Sequence, residues 1–164
     1  LIFKIACTYM NEAQWTSAIK FLETAMRMYK QQPDFNLAMG QCYMELNKHD
    51  EAIIYFGNVV RLKPKNVNGW LELLKCFYKA TLFNDALVYV DFAYEQTEAK
   101  PIFLYYKSAI QFALGKSKEG LLQLDIAMTK NPKLIKKFIE LNPSILQNQQ
   151  VVDVIARYKK KKSI

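Results

Sequence analysis

The sequence predicts an all-α protein built as an array of antiparallel helix pairs, and three observations support this fold class. Residues of similar size recur every 34 positions, in several independent columns. Apolar residues within one such unit lie three and four apart, which places them on one face of a helix. The 164 residues include only 5 Gly and 5 Pro, few for the turns of an all-β fold. Two of the columns are Ala18, Ala52, Ala86 and Gly120, and Ala25, Val59, Ala93 and Ala127.

Each unit is predicted to contain two helices. In one unit Met39 and Tyr43 lie four apart on a first helix, and Phe56 and Val60 lie four apart on a second. Short polar side chains precede the second apolar run in three units, where their oxygens could accept from free backbone N–H groups. We therefore expect Thr16, Asp50 and Asn84 to be helix N-caps.

The period divides the chain into four repeats, at residues 1–32 (a partial unit), 33–66, 67–100 and 101–134. Residues 135–164 do not complete a fifth. They predict a short helix ending near Pro143, then a helix capped by Asn148 with an apolar stripe of Val151, Val152, Ile155 and Tyr158. An array of repeats needs a polar-faced terminal cap, so capping helices with a basic tail are predicted here rather than a membrane-surface helix.

This pattern resembles the tetratricopeptide repeat (TPR) family over about four-fifths of the chain. Counting Pro33 as position 1, the residues that carry the resemblance are Met39, Gly40, Tyr43, Ala52, Phe56, Val59 and Pro64, with Trp70 at position 4 of the next unit. The resemblance implies a right-handed superhelical solenoid of about nine helices. Small residues at positions 8 and 20 would let paired helices approach, and aromatic rings at positions 11 and 24 would fill the adjoining space.

The last repeat departs from the family pattern. It has Lys107, Ser108, Gln111 and Gly120 where the pattern prefers Leu, Gly, Tyr and Ala. The net charge is also uneven, because residues 1–129 carry 14 basic and 13 acidic residues, whereas residues 130–164 carry 9 and 2. The run RYKKKK at 157–162 is interpreted as a solvated tail. With 20 Lys and 3 Arg, recognition of nucleic acid through bidentate contacts is disfavoured, and a membrane partner is disfavoured too.

No residue pattern indicates catalysis. Cys7, Cys42 and Cys76 have neither disulfide nor zinc spacing and are expected to be small buried thiols, which favours a reducing, cytoplasmic location. His49 is the only histidine; we place it in the turn between two helices, with no cysteine beside it. Glycine-rich phosphate loops and nucleophile motifs are absent from the sequence. We predict no enzyme activity, no catalytic residue, no metal site and no cofactor.

The resemblance implies that the first helix of each repeat lines a concave groove that binds a peptide or a partner helix. The predicted partner-binding residues are Phe3, Met10, Leu37, Gln41, Met44, Leu71, Lys75, Tyr78, Tyr105, Tyr106 and Phe112. They are mostly apolar or aromatic, which favours a protein-interaction scaffold over burial of these residues against one another. The carboxylate clamp of one TPR subclass is disfavoured, since the corresponding positions lack its cations.

Two alternatives remain. The array could be an assembly module that self-associates into a homo-oligomer. It could also bind RNA, because pentatricopeptide repeats have a similar helix pair, but their period is 35 and the predicted inner face lacks their polar code. RNA is therefore the less favoured partner.

Overall fold

The computed structural model describes residues 1–30 and 32–161. These residues form ten α-helices and no strand, so the all-α prediction is confirmed, with one helix more than the nine expected. Lys162, the last residue of the predicted basic run, lies outside the described residues. The helices are α1 (Ile2–Asn11), α2 (Trp15–Met28), α3 (Pro33–Glu45), α4 (His49–Leu62), α5 (Val67–Lys79), α6 (Phe83–Gln96), α7 (Ile102–Ala113), α8 (Ser117–Lys130), α9 (Ile135–Leu141) and α10 (Gln149–Lys160), with short 3₁₀ helices at Pro132–Leu134 and Pro143–Gln147.

The chain divides into two compact units, Leu1–Ala80 and Thr81–Ile164. The first unit contains α1 to α5 and the second contains α6 to α10. The division falls inside the third predicted repeat, 67–100, after its first helix. In the first unit α1 packs on α2 and α3 on α4, and in the second α7 packs on α8.

One backbone turn recurs with the period of the sequence. Ala13, Asn47, Thr81 and Gly115 each have positive φ, at 56°, 56°, 59° and 73°. In three of these turns the following N–H donates across the turn to the carbonyl five residues earlier, as in Lys48 N to Tyr43 O at 2.9 Å. This is the Schellman arrangement that ends a helix through main-chain bonds. The 34-residue period is therefore a property of the backbone as well as of the side chains.

The predicted N-caps of α2, α4 and α6 are wrong. Thr16, Asp50 and Asn84 are each the second residue of a helix, and α2, α4 and α6 begin without a side-chain cap. His49 is likewise the first residue of α4 rather than a turn residue. The N-cap positions are held by Gln14, Lys48 and Leu82 instead, and none of these side chains caps its helix. A side-chain cap is present at the start of α5, where Asn66 Oδ1 accepts from Gly69 N at 3.0 Å.

The core of the first unit depends on glycines that let helices approach. A Cβ added to Gly40 of α3 would lie 2.5 Å from the ring of Phe56 on α4, and one added to Gly69 of α5 would lie 2.7 Å from Val59. Phe56 and Val59 are almost completely buried. In this helix pair the small residue at position 8 lies directly against the buried ring at position 24.

In the second unit, the helix pair α7/α8 has its glycine and its aromatic ring on the opposite helices from those in α3/α4. Its glycine, Gly120, is on the second helix, and an added Cβ would meet the ring of Phe112 on the first helix at 2.9 Å. Ser108 takes the position that Gly40 has in the earlier pair, and its buried hydroxyl donates to Gly120 O at 2.7 Å. Ser108 and Gly120 both depart from the family pattern, and this hydrogen bond joins them.

The C-terminal helices cover both helices of this last pair. α9 packs on α7, and α10 packs on α8. Asn148 is the N-cap of α10, as predicted, with Oδ1 accepting from Gln150 N and Val151 N. The buried residues of α10 are Val151, Val154 and Ile155, so the predicted stripe was wrong in omitting Val154 and in including Val152 and Tyr158, which are both partly exposed.

Candidate functional site

The first unit carries eight of the predicted binding residues, on α1, α3 and α5. Every one of them is intermediate in exposure, so part of each residue is accessible to solvent and part is buried within the same unit. Six of the eight are apolar or aromatic. They are Phe3, Met10, Leu37, Gln41, Met44, Leu71, Lys75 and Tyr78.

A buried layer holds these helices in place. Ala6 of α1 and Met39 of α3 are fully buried and belong to one core cluster, against which Phe3 and Met10 pack from the exposed side. Phe3 also contacts Phe35 of α3, with ring centroids 4.9 Å apart. Phe35 was not among the predicted residues, because it is at position 3 of its repeat, counting from Pro33, and the resemblance assigns the groove to other positions. Phe3 and Phe35 together form an aromatic edge between α1 and α3.

Charge contributes little to this surface. Lys75 Nζ lies 3.1 Å from Glu72 Oε1, one helical turn away on α5, and the Lys75 side chain is 40% exposed. Such a pair in solvent stabilises by well under about 1 kcal/mol and leaves little net field. A ligand of this surface would therefore gain its binding energy from apolar contacts, with the lysine setting orientation.

The cysteine and histidine of this unit lie closer together than predicted. Cys76 Sγ donates to the backbone carbonyl of His49 at 3.5 Å, so the expectation that no cysteine neighbours His49 was wrong. The contact involves the main chain rather than the imidazole. Burial raises the pKa of Cys76 to about 11, and burial, with Cys7 and Glu45 nearby, raises the pKa of Cys42 to about 11 as well. Both thiols are protonated at neutral pH and are weak nucleophiles.

Of the remaining predicted residues on α7, Tyr105 and Tyr106 are buried, whereas Phe112 is half-exposed like the predicted residues of the first unit. Tyr105 is completely buried; its hydroxyl donates to Asn131 O at 2.8 Å, and burial raises its pKa. Tyr106 is 2% exposed. Phe138 of α9 lies against two of these rings, with centroids 6.3 Å from Tyr105 and 6.4 Å from Phe112. In the second unit, α9 therefore covers part of the surface that the repeat pattern assigned to a partner.

The described residues carry neither a metal-binding cluster nor a membrane-spanning helix. Within residues 1–30 and 32–161, no three His, Cys, Asp or Glu side chains are grouped so that they could hold a metal ion. In the same residues, no helix has the length and apolar character that crossing a bilayer requires.

Comparison with known proteins supports the fold. A family model described as tetratricopeptide repeat matches residues 9–55. The chain is 22% identical over 152 residues to human anaphase-promoting complex subunit 7; this covers 92% of the chain but only 27% of that protein, so the chain spans about a quarter of its relative.

Solved structures give the same result over nearly the whole chain. MamA residues 41 to the end, from Desulfovibrio magneticus, superimposes with a TM-score of 0.72 at 15% identity, covering 99% of this chain and 94% of that one. YrrB, described as a TPR protein with an unusual peptide-binding site, superimposes with a TM-score of 0.62 at 16% identity, covering 93% and 71%. The resemblance inferred from the repeat columns is confirmed.

Proposed function

Since the chain has the tetratricopeptide repeat fold, we propose that it is a protein-interaction scaffold whose first unit binds a peptide or partner helix on the exposed face of α1, α3 and α5. The observation that supports this most is the row of half-exposed apolar side chains on three successive first helices, above a fully buried core. Apolar side chains held in this way lose little entropy when a partner covers them. Tyr105, Tyr106 and Phe112 are not part of the proposed surface.

Two proteins that are similar to this chain support a protein or peptide as the ligand. YrrB is described as having a peptide-binding site, and the human relative is by name a subunit of a multiprotein complex. Neither fact identifies the partner of this chain. The chemistry of the surface favours a ligand with aliphatic or aromatic anchors at helical or extended spacing and low net charge.

The test uses a partner recovered by pull-down and measures its affinity by calorimetry. Leu71→Ala and Met44→Ala should each weaken binding at least about tenfold, which corresponds to ~1.4 kcal/mol. The matched control is Ile54→Ala on α4, an aliphatic residue that is 63% exposed in the same unit and not on the proposed face. If Ile54→Ala weakens binding as much as Leu71→Ala does, the proposed surface is wrong.

Self-association is a second candidate, supported by a different surface. Val88 and Phe92 of α6 are 55% and 50% exposed, and Leu122 of α8, one period after Val88, is 65% exposed. Exposed apolar residues at a repeated position suit contact with a second copy of the chain. Light scattering over a range of concentrations tests this: Phe92→Ser should reduce the measured mass, whereas a constant monomeric mass for the unsubstituted chain would exclude it.

A further inference from the structure

An open cleft lies between α9 and α10 in the second unit. The two helices pack on different partners, α7 and α8, and a 3₁₀ helix at Pro143–Gln147 connects them. The cleft has a volume of about 410 Å³, and a smaller cavity of about 320 Å³ on its flank shares Ile155 and Lys159 with it. This volume is in the range of about 300–1,000 Å³ that is usual for ligand sites.

The cleft combines an apolar floor with a basic rim. Met128, Ile135 and Ile155 contribute apolar atoms, with Pro132 at one end. The rim is formed by Lys133, Lys136 and Lys159.

These three lysines differ from other cations nearby. Within the part of the chain that the structure describes, none has a carboxylate within 4.0 Å. By contrast, Lys137 lies 3.4 Å from Glu140, and Arg157 lies 3.6 Å from Asp125. Residues 130–161 contain 8 basic and 2 acidic residues, so the local excess of positive charge is not balanced within the segment.

We propose that this cleft binds an acidic peptide segment that inserts an aliphatic or aromatic side chain between α9 and α10. The apolar floor supplies the energy of burial for the anchor, and the lysines attract and orient flanking carboxylates. The site is separate from the surface proposed on the first unit and does not depend on it. It explains why positive charge concentrates in the segment that does not complete a repeat.

Two other anionic ligands fit the cleft less well. A membrane would need the apolar residues of α10 to face outward, but Val151, Val154 and Ile155 are buried, and α10 packs on α8. Single-stranded RNA would need exposed aromatic rings for stacking. Tyr158 is the one aromatic residue lining the described cleft, and its hydroxyl is tied by hydrogen bonds to Asp125, at 3.2 Å from its carbonyl oxygen and 3.1 Å from its carboxylate.

The test is selection of a displayed library of random peptides against the whole chain, followed by fluorescence anisotropy on the enriched peptides. We expect enrichment of peptides with several Asp or Glu around a Leu, Ile or Phe. The double variant Lys133→Glu, Lys136→Glu should weaken their binding at least tenfold. The matched control, Lys116→Glu with Lys118→Glu, changes the same number of exposed lysines in the same unit away from the cleft.

Two further variants distinguish binding in this cleft from binding on the first unit. Ile135→Ser should also weaken binding, since the anchor loses its floor, whereas Leu71→Ala should leave it unchanged. Circular dichroism verifies that each variant keeps its helices. The proposal is overturned if the library yields no acidic peptides, if both lysine pairs weaken binding equally, or if Leu71→Ala weakens it more than the Lys133, Lys136 pair does. The last outcome would assign the peptides to the first unit.

Discussion

The helix pairs α3/α4 and α7/α8 share the same repeat but differ in what covers the first helix. On α3, Leu37, Gln41 and Met44 remain half-exposed. On α7, Tyr105 is completely buried, and Phe138 of α9 packs against it and Phe112. At two of these positions the residues are apolar or aromatic in both pairs, with Leu37 equivalent to Tyr105 and Met44 to Phe112, so side-chain type alone does not decide which residue is covered.

The two pairs also differ in which helix carries the glycine at their contact. In α3/α4 the glycine is on the first helix, and the buried Phe56 ring comes from the second. In α7/α8 the glycine is on the second helix, and the half-exposed Phe112 of the first helix packs onto it. α9 then completes the cover. A repeat position predicts a binding surface only when the segment that follows leaves it open.

The largest predicted effect on stability comes from Phe138 of α9, which packs against α7. Phe138→Ala should lower the free energy of unfolding of the second unit by about 3–5 kcal/mol, because it removes a buried ring that contacts Tyr105 and Phe112. Urea denaturation followed by circular dichroism measures it. Ile139→Ala, a half-exposed residue on the same helix, is the control and should cost clearly less. Equal losses would mean that α9 does not seal the face through Phe138.

A smaller effect is expected from the glycine contact of α3/α4. Gly40→Ala should destabilise the first unit by about 1–3 kcal/mol, since the new Cβ would lie 2.5 Å from the buried Phe56 ring. Gly57→Ala is the matched control: nothing lies within 4 Å of its added Cβ, and alanine in a helix should stabilise by roughly 0.5–1 kcal/mol. Chemical denaturation of both variants gives the comparison. If both substitutions change the free energy of unfolding in the same direction, the close approach of α3 and α4 is contradicted.

The smallest effect concerns the recurring turn. Gly115→Ala should lower stability by about 1 kcal/mol, because φ is 73° and no neighbour lies within 4 Å of the added Cβ, leaving backbone strain alone. Ala13→Gly, at φ 56° in the equivalent turn, should stabilise by a few tenths to about 1 kcal/mol. Thermal melting should thus move in opposite directions for the two substitutions. If both lower the melting temperature, the turns are not equivalent.

The fold was largely predictable, because the 34-residue columns report which side chains must be small or large where helices meet. On that basis Gly40 was expected to let helices approach and Phe56 to fill space beside it, and the two residues are in contact. The N-caps were not predicted correctly. Thr16, Asp50 and Asn84 have suitable side chains, but each lies inside its helix, and the preceding turn is formed by a residue with left-handed backbone conformation.

The candidate surface was predictable only where the repeat continues regularly. Leu37, Met44 and Leu71 lie half-exposed on first helices, as their positions indicated. Tyr105 and Phe112 have equivalent positions, but their surroundings depend on Phe138, which lies in the segment 135–164 outside the period. A contact with a non-repeated segment leaves no periodic signal.

The most direct test of this difference is the affinity of a recovered partner for two variants, one in each unit. Leu71→Ala removes a half-exposed anchor from α5, and Phe112→Leu alters a half-exposed ring on α7 that packs against Phe138, while keeping its apolar character. We expect binding at least about tenfold weaker for Leu71→Ala, ~1.4 kcal/mol, and affinity within about twofold of the unsubstituted chain for Phe112→Leu. Normal binding by Leu71→Ala together with a tenfold loss for Phe112→Leu would contradict the assignment of the binding surface to the first unit.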